Sequence, residues 1–170
     1  MTFFKRLTVF LVAAMMSVCM LAGCSGSEGD TQQPAGNETS AAALSIEEIY
    51  TRISELGVLP EMLMLDDAYI SGYYGIDESA VLDKVLAVAE DSLKGDTVII
   101  MKAVDGAAAE EMAACFNRVN NQRLAELESY NPEQYARVEN AVIKCSGSYV
   151  YYLVTDDNAA AAQIIESNIG

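Results

Sequence analysis

The chain has 170 residues and contains neither histidine nor tryptophan. The missing histidine removes whole reaction classes. Ser-His-Asp and Cys-His nucleophilic catalysis both need an imidazole base. Zinc sites built on histidine are excluded, as is histidine-based pH sensing. Cysteine is scarce too: Cys115 and Cys145 are the only thiols after Cys24, too few for a tetrahedral thiolate site. Basic residues number 10 against 25 acidic ones, a formal charge of −15. So acidic a chain is repelled by phosphate backbones and anionic head groups, which rules against nucleic acid and against lying flat on a membrane. Carboxylate chemistry is what remains for an enzyme, and the residues imply no cofactor and no metal.

A long hydrophobic run is also missing. The apolar stretch Leu7 to Met20 is shorter than the ~20 residues that cross a bilayer. It follows Lys5 and Arg6 and leads into Leu21-Ala22-Gly23-Cys24, the order of a bacterial signal peptide with small residues at its cleavage point. Leu-Ala-Gly-Cys looks like a bacterial lipobox, in which the Cys24 thiol is acylated and becomes the first mature residue. A thiolate is the nucleophile such a transfer needs. The competing reading is an ordinary secretory signal with a chance cysteine. Cleavage would remove both Lys5 and Arg6 and no acid, leaving the mature chain two charges more negative. The expected partner through Cys24 is the membrane, and the expected location is the outer face of the cell membrane. One acyl chain holds only marginally, so an anchor on one Cys requires several.

Three regions follow: a signal peptide over 1–23, the lipidated Cys24 with a flexible tether over 24–43, and one domain over 44–170. The tether, SGSEGDTQQPAGNETSAAA from Ser25, has no residue able to build a core and reaches about 24 Å as a random coil. It ends at a capping box, Ser45 to Glu48. Ile46, Ile49, Tyr50, Ile53 and Leu56 then mark a helix face that Gly57 stops. Val58 to Leu65 is apolar and broken by Pro60, and Asp66-Asp67 opens a short helical turn ending in Tyr73-Tyr74-Gly75-Ile76-Asp77. Residues 81–90 suit either a helix or a strand; the strand is favoured, joined as a loose hairpin to the β-branched run Thr97 to Ala103. A long helix from Ala107 to about Glu128 carries the stripe Met112, Cys115, Phe116, Val119 and Leu127. Asn131-Pro132 restarts a helix to Glu139.

Ala141 to Ser146 and Tyr149 to Thr155 form two strands around the two-residue turn Gly147-Ser148. That turn pairs Ser146 with Tyr149, Lys144 with Tyr151 and Val142 with Leu153. Cys145, Val150, Ile143, Tyr152, Ala141 and Val154 then share the opposite, wholly apolar side, which the long helix with Cys115 should cover. A helix after Asp156-Asp157 closes the chain. Helices followed by ββαββα predict an α+β domain with an antiparallel sheet and helices mainly on one side.

The second half, with the lipobox, resembles a bacterial lipoprotein family known as domain of unknown function 4358. The resemblance rests on Tyr74-Gly75-Ile76-Asp77, the strand ending Lys102-Ala103, and the run Tyr130-Asn131-Pro132-Glu133-Gln134-Tyr135 followed by Gly147, Tyr149-Val150 and Asp156. It covers roughly 46–168 and implies a fold and a location, with no catalytic residues.

Several groups are candidates for chemistry. Asp66-Asp67, Asp77-Glu78 and Asp156-Asp157 offer oxygen ligands to a hard cation, but each sits where a helix starts, where an acid caps N–H groups. Glu110, Glu111, Glu126, Glu128, Glu133 and Glu139 are possible acid–base carboxylates whose polar neighbours read as a solvated face. Cys115 and Cys145 suit either a disulfide or two small buried hydrophobes; free thiols are favoured. Lys144, Tyr149 and Tyr151 mix rings with polar groups on one side of the last hairpin, which suits a partner surface unless the first helix folds back over them. The reading is a lipid-anchored, non-catalytic binding or accessory module; the alternative is a carboxylate-dependent hydrolase of envelope polymers.

Overall fold

The computed structural model describes residues 44–169. The expected signal peptide, the lipidated Cys24 and the whole tether over 24–43 lie outside the described residues. Helix α1 (Ile46–Glu55) begins at the capping box: the Glu48 amide donates to Ser45 Oγ at 3.2 Å, and the Ser45 amide donates to the Glu48 carboxylate at 2.8 Å. Ile46, Ile49 and Ile53 are buried, as their spacing requires. Strand β1 (Met62–Met64) was not legible as a strand, being three residues long in a stretch broken by Pro60. A single π-helical turn follows over Ile70–Tyr74 and ends at Gly75, whose φ of 69° is left-handed.

Strands β2 (Val81–Ala89) and β3 (Thr97–Ala103) pair antiparallel, so the ambiguous 81–90 segment is strand. Helices α2 (Gly106–Leu127) and α3 (Pro132–Glu139) come next, with Asp105 and Asn131 as their side-chain caps. The hairpin β4 (Val142–Ser146) and β5 (Tyr149–Val154) has the expected register, Lys144 opposite Tyr151 and Val142 opposite Leu153. Helix α4 (Asn158–Glu166) closes the domain behind the Asp157 cap. The five strands lie in the order β1-β2-β3-β5-β4, every pair antiparallel. This is the α+β class expected. No helix among the described residues is long and apolar enough to cross a membrane.

The distribution of helices differs from the expectation of one covered side. Helices α2 and α3 and the π-turn cover one face, packing on Leu86, Ile99, Met101, Val150, Tyr152 and Val154. Helices α1 and α4 cover the other, packing on Val85, Ala87, Val98, Ile100, Tyr151 and Leu153. The cause lies in the central strands. Thr97 to Met101 and Val150 to Val154 are buried at every position, so neither face can be left to solvent. On the first face the predicted hairpin side with Cys145, Ile143 and Ala141 does pack against α2 and Cys115.

Phe116 stands at the middle of that face, 5.5 Å from the Tyr74 ring edge-on and 5.8 Å from the Tyr152 ring. Phe116→Ala should cost about 3–5 kcal/mol, read as a lowered urea midpoint at unchanged slope. A second test is alkaline. Burial pushes the hydroxyls of Tyr74, Tyr151 and Tyr152 up from their ordinary 10.0, so the folded chain keeps these protons to higher pH than the unfolded one. The stability these three hydroxyls contribute is therefore fully present below about pH 10 and is lost as pH rises above it. Melting temperatures at pH 8.5 and pH 11 should differ clearly, the higher pH giving the lower value.

Candidate functional site

Two features meet at the end of the sheet where β2 passes into β3. Gly95 in that connection has no room for a side chain: a Cβ would lie 2.7 Å from Val138 of α3. Its amide donates to Gln134 Oε1 at 2.7 Å. Next to it Asp96, only 2% exposed, accepts from Arg137 of α3, whose other nitrogen reaches Asp156 after β5 at 2.5 Å. Arg137 thus ties α3 to both central strands. Together with Leu59, Pro60, Lys94, Glu133 and Gln134 these groups line a polar cavity of about 270 Å³. Both carboxylates are engaged by the guanidinium, so the arrangement is a clamp rather than an acid–base pair.

Around the corner, on the α2 side, lies a groove of about 310 Å³. Leu63 and Leu65 of the β1 segment, Val88 of β2 and the rings of Tyr69, Tyr73 and Tyr74 form its walls. Tyr74 is buried and packs edge-on against Tyr73, ring centroids 5.0 Å apart, which braces the outer ring. Tyr69, Tyr73 and Leu63 stay 43%, 51% and 51% exposed. Such side chains gathered in one concavity are what a contact site looks like. Lys94 and Arg123 also line the groove, with Glu90 as the opposing charge. Arg123 of α2 spends its hydrogen bonds on neutral oxygens: Nη1 donates to Thr97 Oγ1 at 3.0 Å and Tyr152 Oη at 2.9 Å, and Nη2 to the Gly95 carbonyl at 2.8 Å. Neither Lys94 nor Arg123 belongs to any of the ion pairs among the described residues.

The partner surface expected on the last hairpin needs correction at Tyr151. That ring is fully buried beneath α4, and its hydroxyl donates to Glu166 at 2.6 Å. The sheet face it occupies is covered, not open. Lys144 also donates to Glu166, at 2.6 Å, and with Tyr151 holds that carboxyl below its ordinary range. Tyr149 is half-buried, with Lys102 Nζ 5.3 Å from its ring centre.

One acid of each pair is spent on a nearby backbone amide, and the others pair with Lys84, Ser71 and Arg137. Asp66 accepts from the Ala68 amide, Asp77 from Ser79 and Asp157 from Ala160. No cluster of three potential metal ligands occurs among the described residues. All six glutamates considered for catalysis are exposed. Cys115 and Cys145 are both free thiols, donating to the Gly75 and Ala109 carbonyls at 3.7 and 3.3 Å. Burial, with Glu110 nearby, pushes the Cys145 thiol up. The groove residues Leu63, Tyr69, Tyr73, Lys94 and Arg123 were missed in the sequence. The signal available was a knot of three tyrosines within six positions, together with the rarity of cations.

The Arg137 clamp gives a quantitative test. Arg137→Met leaves Asp96 buried without its partner and should cost about 3–5 kcal/mol in urea denaturation. Adding Asp96→Leu should restore much of that loss, because the stranded charge is then gone.

Residues 55–155 match the family described as Domain of unknown function (DUF4358). The comparisons with curated proteins and with solved structures found no match. The match is narrower than the resemblance over 46–168, leaving most of α1 and all of α4 outside it. Since it takes in well over half of the sequence, the chain belongs to the DUF4358 family.

Proposed function

We propose that this protein is a lipid-anchored extracytoplasmic binding module that engages its partner in the tyrosine-walled groove. One observation carries the binding role: Leu63, Tyr69 and Tyr73 are half-exposed around a concavity that also holds Lys94 and Arg123. Exposing such rings costs hydrophobic stabilisation, and an edge-on brace behind Tyr73 fixes a ring that solvent would otherwise leave mobile. The anchor is supported by the order Lys5-Arg6, apolar run, Leu21-Ala22-Gly23-Cys24, and by a tether long enough to lift the domain off the bilayer. The strongly acidic surface leaves the lipid to supply the membrane attachment.

Two experiments test the two halves of this reading. Cys24→Ala should leave an unprocessed precursor or release the chain from the lipid phase; partition into detergent like the processed parent would refute the anchor. For the groove, Tyr69→Ser with Tyr73→Ser should abolish crosslinked species in intact cells. Both rings are only about half exposed and Tyr73 gives up its edge-on contact with Tyr74, so stability should fall by about 1–2 kcal/mol per site while the domain stays folded. Unchanged crosslinking in the double variant would remove the groove from the binding role.

A further inference from the structure

The groove's lining is locally positive on this acidic molecule. Its lining holds Lys94 and Arg123 against the single acid Glu90, within a sequence of net charge −15. Arg123 is the more informative of the two. Thr97 Oγ1 and the Gly95 carbonyl are 3.1 Å apart and accept from Nη1 and Nη2 respectively, side by side. Two acceptors so placed occupy the end-on edge of a guanidinium, and Tyr152 Oη takes the remaining Nη1 hydrogen. Nε and the second Nη2 hydrogen are left without an acceptor among the described residues. Together they form the side-on edge, a fork that matches the two oxygens of a carboxylate. The three neutral acceptors fix the guanidinium in advance, so little side-chain freedom is lost when that edge is filled.

We infer that the groove binds a carboxylate carried on an apolar or aromatic body; this rests on the groove being the binding site. The carboxylate sits on the open edge of Arg123 with Lys94 as a second cation. The apolar body lies among Leu63, Leu65, Val88 and the rings of Tyr69 and Tyr73. The volume of about 310 Å³ suits one such group. A hydroxyl-rich sugar fits less well, because the leucine and valine walls would leave many of its hydroxyls unpaired. The same chemistry comes from a free acid or from the C-terminal residue of a peptide.

The probes are N-acetyl-phenylalanine, its C-terminal amide, and N-acetyl-Ala-Ala-Phe, titrated into the detergent-solubilised full-length chain with tyrosine rings labelled for NMR. The acid should shift Tyr69 and Tyr73 and bind at least tenfold tighter than the amide, a preference that shrinks as salt is raised. Lys94→Gln, at an exposed position, should narrow the acid-to-amide ratio while keeping the ring shifts; Arg123→Lys, which keeps the charge and loses the fork, should narrow it further. A tripeptide tenfold tighter than the single residue identifies a peptide end as the source, and equal affinities identify a free acid. If acid and amide bind alike, the carboxylate assignment is overturned and the groove reading stands. If neither moves the tyrosine signals, the carboxylate-ligand proposal is overturned, while the groove reading is decided separately by crosslinking of the Tyr69→Ser, Tyr73→Ser variant.

Discussion

The pairing of β3 with β5 is the constraint from which the rest of the domain follows. These strands are remote in sequence, yet they register Ile99 with Tyr152 and Ile100 with Tyr151. Each carries apolar side chains on both faces. A sheet whose middle is apolar on both sides must be covered twice, and the chain does so with α2 and α3 below and α1 and α4 above. The hairpins β2–β3 and β4–β5 supply the flanks. The three-residue β1 then extends the edge far enough to form one wall of the groove.

Polar contacts decide where the layers stop sliding. Arg123 and Arg137 lie on different helices, and both reach the same short connection, Gly95 to Thr97. One is satisfied by neutral oxygens and the other by carboxylates. That difference separates a site with spare donor capacity from a structural clamp. The buried Asp96 needs Arg137, whereas Arg123 belongs to no ion pair among the described residues.

Much of this fold was legible locally. The capping box at Ser45, the Asn131-Pro132 helix start and the Gly147-Ser148 turn each state their geometry in two to four residues, and the hairpin register followed from the turn alone. Tyr151 was misjudged for a non-local reason. Its polar alternation with Lys144 and Tyr149 suggests an open face, and only the return of α4 from the end of the chain covers it. The groove was invisible for the same kind of reason, since Leu63, Tyr69, Glu90 and Arg123 come from four separate segments. Arg123 reads in sequence as one more polar residue of a helix; its unused edge emerges only when Thr97 and Gly95 are placed beside it.

The boundaries of the family match bear on how the domain can be divided. Helix α4 lies beyond residue 155 and α1 almost wholly before residue 55, yet these two elements together make one layer. A fragment cut at the matched boundaries would keep the sheet and the α2 layer while stripping Val85, Val98, Ile100, Tyr151 and Leu153 of their cover. Such a fragment would present a continuous sticky sheet and would self-associate. The recognisable core is therefore smaller than the folding unit, and the two helices at its less recognisable ends are what cover that face of the sheet.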